Sequence, residues 1–242
     1  MLVDFFPKFD KVEILEQTED FLIINKQSGL LVHPDKFSKE KTLIDVLLKA
    51  CPQINKVGQS GRDGIVHRLD RDVSGLMVVA KTQKMYDFLI EQFLKKKVKK
   101  QYLALVYDKP AENKGTIDTP LARNKKGKII AIAYRKNIKQ EKSAITKYEI
   151  KERFKDFSLL KIRILTGRTH QIRVHLRSIG CPIVGDQKYK LRDKKLKKPF
   201  ELNRIFLHSD YLGFYNLKDK WQEFKCGLPL ELEEFLNKVR TN

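Results

Sequence analysis

The sequence predicts an α+β protein with a mixed, largely antiparallel central sheet in two lobes flanked by helices. Apolar runs of strand length recur along the chain, separated by turn-forming Gly, Asn, Asp and Ser residues. Other stretches repeat their apolar residues at helical spacing. A chain of 242 residues buries about 70% of its unfolded surface, so it can hold a core without disulfides. We expect one domain over residues 1–242, or two lobes that share a sheet.

Turn residues set the bounds of the predicted strands. Val12–Leu15 and Phe21–Asn25 flank a polar turn. Ile65–Val66 and Leu76–Ala80 enclose a charged segment, and an apolar run bounded by turn signals predicts a buried strand. Gln101–Tyr107 is apolar on both faces and is therefore expected in the centre of the sheet. Further strands are predicted at Ile129–Ala133, Ala144–Ile150 and Phe157–Leu165.

Four helices are predicted from capping residues and apolar stripes. Thr42 can cap a helix that continues to Ala50, and Pro52 ends it. Thr82 and Thr169 are the expected caps of the second and third helices, and the fourth covers Pro229–Val239. The residues expected to face the core are Leu43, Val46, Leu47, Ala50, Tyr86, Leu89, Ile90, Phe93, Leu94, Ile172, Leu176, Ile179, Leu232, Phe235, Leu236 and Val239.

The charge of the chain indicates a polyanionic partner. Fifty Lys and Arg against thirty Asp and Glu give a net charge of +20. This excess favours nucleic acid, although a generally lysine-rich proteome produces a similar balance. Lysines cluster in Lys95–Lys100, after the second predicted helix, where they also suit the helix dipole. Two further basic loops are expected, at residues 108–142 and after Asp186.

Several protein classes are disfavoured by the composition. The three cysteines, Cys51, Cys181 and Cys226, are too widely spaced for a disulfide framework or a Cys-rich zinc site. No apolar run approaches the ~20 residues that span a bilayer, and Met1–Pro7 lacks the features of a signal peptide. We therefore expect a cytoplasmic protein, and we also expect a monomer.

The first candidate functional segment is Gly64–Thr82, which contains His67-Arg68-Leu69-Asp70-Arg71-Asp72-Val73-Ser74-Gly75. Asp70 lies between two arginines, and nearby guanidinium groups favour the ionised carboxylate that a nucleophile or base requires. A loop held by buried strands is a common place for such a group. From the charge pattern alone, a surface cluster of Arg and Asp around a tight turn explains the segment equally well.

The second candidate segment runs from Leu165 to Tyr189. His170, Arg173 and Arg177 fall on one face of its predicted helix, and the helix start offers free N–H groups to a phosphate. Such a polar face is usually just solvated. His170 and His175 are a poor metal pair, because five residues on a helix place their side chains about 140° apart.

Both segments resemble motifs of the RluA family of pseudouridine synthases. The first resembles the family's HRLD-x-x-TSG signature, with Val73 in place of Thr, and the second its TGRTHQIRVHL…G-x-PIVGD-x-x-Y block. Asn25–Pro34 resembles its first motif, with Gln27 in place of Pro, and Lys100–Val106 its KxYxALV motif. Arg204–His208 resembles its C-terminal strand. The resemblance covers nearly the whole chain, from Asp20 to about Val239.

The resemblance implies the pseudouridine synthase fold with an active-site cleft, without the extra N-terminal RNA-binding domain that some relatives carry. It also implies a reaction that needs no cofactor and no metal. It makes Asp70 the catalytic aspartate, paired with Arg168, and gives RNA contacts to Arg68, Tyr102, His170, Gln171 and Arg173. The substrate uridine would be flipped out of its helix, with Arg68 filling the vacated stack and Tyr102 against the base. Lys26 and His33 are more simply interpreted as solvated loop residues.

The resemblance leaves the target open between ribosomal and transfer RNA, and large-subunit ribosomal RNA is favoured. Two other functions stay open on the residues alone. A glycosylase-type hydrolase would use the same carboxylate and release uracil, whereas a non-catalytic RNA-binding factor would explain the charge without needing Asp70.

Overall fold

A computed structural model describes residues 11–34, 40–124, 127–132, 141–190 and 201–241. The chain divides into two compact units. The first unit comprises the residues up to Val98 together with Gly213–Phe224, and the second comprises Lys99–Leu212 together with the residues from Lys225 onward. Three predicted segments lie wholly or partly outside the described residues: Met1–Pro7, the basic loop 108–142 at residues 125–126 and 133–140, and the basic loop after Asp186 at residues 191–200.

The first unit is built on three antiparallel strands: β1 (Glu13–Gln17), β2 (Phe21–Lys26) and β3 (Ser74–Ala80). β3 is buried along its whole length and β2 along nearly all of it, whereas β1 is exposed. The predicted strands at Phe21–Asn25 and Leu76–Ala80 are therefore confirmed. The lead-in at Ile65–Val66 is not a strand, since Ile65 makes only an isolated bridge with Val79.

Two helices complete the first unit. α1 (Leu43–Ala50) begins with the predicted Thr42 cap, whose side chain accepts from the Asp45 N–H while Asp45 reaches back to the Thr42 N–H. This capping box satisfies two backbone donors. α2 (Gln83–Leu94) begins at the predicted cap Thr82. The prediction that Leu94 is buried is wrong, because this last helical residue is 77% exposed.

The second unit is built largely of β strands. In chain order they are β4 (Lys99–Tyr107), β5 (Lys114–Asp118), β6 (Leu121–Arg123), β7 (Ile129–Ala131), β8 (Ile145–Arg153), β9 (Phe157–Ile164) and β10 (Leu207–Tyr215). β6 and β7 form a two-stranded sheet of their own. β5, β8, β9 and β4 pair antiparallel in that spatial order, and β4 pairs on its other side with β10. The central place predicted for β4 is thus confirmed.

The chain between β4 and β8 contains more β structure than the sequence predicted. β7 lies within the predicted strand Ile129–Ala133 and pairs with β6, but β5 and β6 themselves were not predicted. β10 is also longer than the predicted Arg204–His208, since it continues to Tyr215 and enters the first unit. β11 (Trp221–Lys225) pairs with it. β5 is mostly exposed and β6 has only three residues, so neither shows the periodicity that predicts a buried strand.

The second unit contains α3 (Gln171–Ser178) and α4 (Leu230–Arg240). The predicted Thr169 cap is wrong: His170 precedes the helix in the left-handed region, with φ of 54° and no capping bond from its side chain. On α4, the four residues expected to face inward are buried. No helix of the described chain combines the length and the apolar character needed to cross a membrane.

Candidate active site

In the first unit, Asp70 opens a tight turn immediately before β3. The Val73 N–H donates to the Asp70 carbonyl oxygen at 3.2 Å, and Val73 itself is buried. Gly64, upstream of the turn, has a φ of 81°, and a Cβ atom there would lie 2.2 Å from the Ala80 carbonyl oxygen. Only glycine fits this contact. As predicted, Asp70 therefore lies on a loop that a buried strand supports.

A buried lysine fastens the Asp70 turn to the first motif. The Lys26 ammonium group is fully buried and donates to the carbonyl oxygens of Gln27, Leu30 and Arg71 at 2.8–2.9 Å. The prediction that Lys26 is solvated is therefore wrong. Because a proline also carries a carbonyl group, Gln27 replaces the family's proline without removing this bond.

Backbone contacts join the same two loops a second time. Ser28 donates its hydroxyl hydrogen to the Asp72 carbonyl oxygen at 2.7 Å, and the Gly29 N–H donates to the Arg71 carbonyl oxygen at 2.9 Å. In return, Arg71 Nε donates to the Gly29 carbonyl oxygen. The backbone on the C-terminal side of Asp70 is thus fixed by residues more than forty positions away in the sequence. A fixed backbone is what a preorganised catalytic loop requires.

The arginines beside Asp70 have partners of their own. Arg71 forms an ion pair of 2.7 Å with Glu40. Arg68 is exposed, and its guanidinium group lies 3.1 Å from His33 Nε2, so His33 is not simply solvated. Arg71, which the sequence suggested would favour the charged form of Asp70, thus also forms an ion pair with Glu40.

In the second unit, β4 presents Lys100 and Tyr102 on one face, because side chains two residues apart in a strand point the same way. Tyr102 is buried, with 5% of its surface exposed. Burial lowers the pKa of Lys100 to about 8. A Cβ atom built on Gly167 would lie 3.7 Å from Lys100 Nζ, so this ammonium group lies beside the loop that carries Arg168.

Gln171 fixes the loop that carries Arg168. Its side-chain oxygen accepts from the Thr166 hydroxyl at 2.7 Å and from the Arg168 N–H at 3.1 Å. Its amide nitrogen donates to the Ile145 carbonyl oxygen and to Thr146 Oγ1, both at 3.0 Å. All four bonds are made by a buried side chain. Gln171 therefore holds the loop onto β8, and this burial does not suit the RNA contact that the resemblance implied.

Arg168 itself is exposed at the surface of the second unit. Its Nε donates to the Ser143 carbonyl oxygen at 3.1 Å, which ties the guanidinium group to the segment before β8. Together with the Gln171 bond to its backbone, this contact orients the side chain while leaving it accessible.

Arg173 occupies the protein interior, so it does not belong to a solvated face of the helix. It is 6% exposed, and its guanidinium group makes two bonds to Asp186, of 2.8 and 2.9 Å. Burial by itself raises the pKa of Asp186, but Arg173 and the N–H groups of Lys188 and Tyr189 hold this pKa below its usual value. The Arg and Asp of the second motif therefore lock α3 to the loop that follows it.

The histidines of the second motif are also engaged within the unit. His170 Nδ1 lies 2.8 Å from the Tyr189 hydroxyl group. His175 is buried, with Nε2 2.9 Å from the Thr119 carbonyl oxygen, so this nitrogen carries the proton and donates. Burial lowers the pKa of His175. Among the described residues, no group of three or more His, Cys, Asp or Glu side chains is arranged to hold a metal ion.

Each unit therefore brings together part of the predicted site. Asp70 and Arg68 share a clamped loop in the first unit, and Lys100, Tyr102 and Arg168 lie on β4 and the loop before α3 in the second. Sequence reasoning missed the clamp by Lys26 and the altered ionisation of Lys100. The only sequence signal for Lys100 was its spacing of two from Tyr102, which places both on one strand face.

Comparison with known proteins supports the resemblance. The family model for RNA pseudouridylate synthases matches residues 20–178. The chain is 36% identical over 96% of its length to an uncharacterized RNA pseudouridine synthase, YlyB of Bacillus subtilis, of which it covers 74%. It is 35% identical over 99% of its length to the ribosomal large subunit pseudouridine synthase D of Buchnera aphidicola, of which it covers 77%. The solved structure of human RNA pseudouridylate synthase domain containing 4 superimposes with a TM-score of 0.75 at 25% identity, covering 94% of this chain and 93% of the human one.

Proposed function

Because the chain belongs to the RNA pseudouridylate synthase family, we propose that it converts specific uridines of structured RNA to pseudouridine, with Asp70 as its catalytic residue. The observation that carries this assignment is the fixed turn of Asp70. Three backbone carbonyl groups bound by one buried ammonium hold the turn to the first motif. A carboxylate on so rigid a loop is suited to precise contact with a sugar or base.

The reaction is an isomerisation, so every atom of the substrate is retained. The bond between N1 and C1′ breaks, the base turns, and a bond forms between C5 and C1′; the hydrogen leaves C5 and a proton is gained at N1. The Asp70 carboxylate begins this sequence by adding at C1′, by adding at C6, or by taking a ribose proton. All three routes need an ionised carboxylate against the nucleotide.

A uridine inside a helix must be flipped out before a carboxylate can reach it. We propose that Arg68 fills the vacated stack, since its guanidinium group is planar, exposed and held at one end by His33. We propose that Tyr102 packs against the flipped base and that Arg168 keeps Asp70 ionised and oriented. His170 is a further RNA contact in this proposal, because it is partly exposed at the start of α3.

Large-subunit ribosomal RNA is the target that we favour, and transfer RNA is the alternative. A relative 35% identical to the chain is named for the ribosomal large subunit. The net charge of +20 suits a large structured polyanion. We further propose that the protein acts in the cytoplasm, where these RNAs are found, and as a monomer.

Replacing Asp70 with Asn tests the catalytic assignment. The carboxamide has nearly the same shape but cannot act as a nucleophile or a base, so Asp70→Asn should bind RNA and form no pseudouridine. Asp72→Asn, two residues away and exposed, is the matched control and should stay active. Free uracil in the reaction would instead indicate a glycosylase, and full activity of Asp70→Asn would remove the aspartate from the mechanism.

The target is tested in cells that lack the gene. Carbodiimide-dependent primer extension across ribosomal and transfer RNA should show the loss of a pseudouridine in large-subunit ribosomal RNA. Reintroducing the wild-type gene should restore the primer-extension stop at that pseudouridine, whereas the Asp70→Asn gene should not. A loss confined to transfer RNA would contradict the favoured target while leaving the chemistry intact.

A further inference from the structure

An aromatic and basic surface of the first unit is not used by the proposed chemistry. It comprises the turn between β10 and β11, with an aromatic residue at each end, and the C-terminal end of α2; we call it the hairpin surface. Its members are Tyr215, Lys218, Lys220, Trp221, Lys95, Lys96 and Lys97. Three acidic side chains, Glu91, Asp219 and Glu223, lie among them or next to them, so lysine remains in excess.

Two aromatic rings form the apolar part of the hairpin surface. Tyr215 is 37% exposed, and Trp221 is partly exposed. Their ring centroids lie 5.0 Å apart in an edge-to-face arrangement. The turn between them is well bonded, because the Asn216 side-chain oxygen accepts from the N–H groups of Lys218 and Lys220. The rings are therefore presented on a defined scaffold.

Gln92 joins this hairpin to the basic end of α2. Its buried side chain donates to the Tyr215 carbonyl oxygen at 2.9 Å and accepts from the Tyr215 N–H at 2.8 Å. The carbonyl oxygen of Gln92 accepts from the Lys97 N–H at 2.9 Å. One residue thus contacts both parts of the hairpin surface, and the lysines and the rings hold a fixed relation within the first unit.

The backbone of Lys96 makes this residue a useful position for a test. Lys96 has a φ of 56°, in the left-handed region that a helix end usually fills with glycine. A side chain there is strained relative to glycine. Replacing this exposed lysine with glycine would therefore remove its charge without a cost in stability.

We propose that the hairpin surface is a second RNA contact, which stacks an unpaired base on Trp221 and Tyr215 and binds the flanking phosphates with its lysines. Stacking on an aromatic ring accepts any base, and lysines recognise the backbone without reading sequence. The partner that fits is therefore a single-stranded or looped stretch of RNA. The proposal rests on the RNA substrate of the proposed function and adds a contact away from the Asp70 turn in sequence.

The single tryptophan of the chain makes this contact directly measurable. We would titrate the full-length protein, and separately Asp70→Asn, with a twelve-nucleotide oligoadenylate while recording tryptophan emission and filter binding. Emission should be quenched with the same midpoint as filter binding in both proteins. Inorganic polyphosphate, a polyanion without bases, should compete for the lysines without reproducing the quenching. Because emission reports binding and not turnover, this result is independent of whether Asp70 is catalytic.

Substitutions then distinguish a loss of RNA binding caused by the missing lysine charge from one caused by misfolding. The double variant Lys218→Gln/Lys220→Gln should flatten the salt dependence of binding, by about 1.4 in the slope of log affinity against log salt if both lysines contact phosphate. The control Lys151→Gln/Lys238→Gln removes two exposed lysines elsewhere and should leave that slope unchanged. Lys96→Gly should weaken binding while its melting temperature stays level or rises, which excludes misfolding as the cause.

Three results would overturn the proposal. Saturated filter binding with unchanged tryptophan emission would show that RNA does not reach the hairpin surface. Equal quenching by polyphosphate would show that no base stacks there. A slope change no larger in Lys218→Gln/Lys220→Gln than in the control pair would remove these lysines from the contact.

Discussion

The Lys26 ammonium group donates a hydrogen bond of 2.9 Å to the carbonyl oxygen of Arg71, a residue 45 positions further along the chain. This bond is one of three that the buried ammonium makes, and it ends next to Asp70. The first motif therefore acts on the proposed catalytic turn through the backbone. RNA contact by Lys26 is not needed to explain its place in the motif.

Lys26→Met should lower stability and turnover together. Three carbonyl groups lose their donor, and a buried polar group left unsatisfied costs about 1–3 kcal/mol, not additively. We expect a loss of about 2–4 kcal/mol in the free energy of unfolding, measured by urea titration. Turnover should fall while RNA affinity stays within about twofold, since the residue is buried. Lys49→Met, at an exposed position of α1, is the control; a variant of Lys26 that binds RNA weakly but folds normally would contradict the clamp.

Gln171→Leu should reduce activity by misplacing Arg168. The change removes four hydrogen bonds, two of which fix the loop from Thr166 to Arg168. A displacement of about 1 Å at a positioning residue can cost about a hundredfold in rate. We expect a rate loss of that order with single-turnover RNA, together with a lower melting temperature. Gln187→Leu, which is exposed, should be neutral. An active, destabilised Gln171→Leu would show that the loop needs no such support.

Arg173→Met tests whether Arg173 supports the fold or contacts RNA. Removing it leaves the buried Asp186 carboxylate without its two charged hydrogen bonds, which typically costs about 3–5 kcal/mol. The unfolding midpoint in denaturant should therefore drop sharply, whereas Arg177→Met, at an exposed position of the same helix, should barely change it. Since the native pKa of Asp186 is below its ordinary 3.8, the pair stabilises the protein fully above that pH and loses effect as the pH falls below it. An Arg173→Met variant with normal stability and weakened RNA binding would instead show that Arg173 contacts RNA.

His208 should make the protein less stable in mild acid. Burial, followed by the charge of Arg204, lowers its pKa from 6.5 to about 4, so the unfolded chain binds more protons than the native protein between these values. Stability should therefore fall as the pH drops through this window, by up to about 1.4 kcal/mol per pH unit from this residue. Nuclear magnetic resonance titration of the His208 ring should give a midpoint well below 6.5. A midpoint near 6.5 would refute the prediction.

Lys100 should give the reaction an alkaline limit. Its pKa is about 8 because of burial, so the ammonium group loses its proton as the pH rises through this value. We expect the single-turnover rate to decline over the same range. Lys100→Arg keeps its charge at any accessible pH, so whatever activity it retains should persist to higher pH. Identical pH profiles for the two proteins would show that the charge at this position does not matter.

The strongest elements of the fold were predictable from local sequence. β2, β3 and α4 carry uninterrupted or regularly spaced apolar residues, and Thr42 and Thr82 are caps with a local mechanism. Leu94 and the strands β5 and β6 were not predictable in the same way. The last residue of a helix need not contact the core, and a short strand depends on its partner strand rather than on its own residues.

The sequence by itself determined which segments are candidates for the chemistry. The two long motifs contain Asp70 and Arg168, the shorter Lys100–Val106 motif contains Tyr102, and the net charge indicated a polyanionic partner. Only the tertiary structure decided which polar residues are buried. Lys26, Gln171 and Arg173 have the same side chains as residues that contact RNA, yet each is enclosed and bonded within its own unit. The physical reason is that burial depends on contacts between residues far apart in the chain, such as Lys26 with Arg71, and no local pattern reports those contacts.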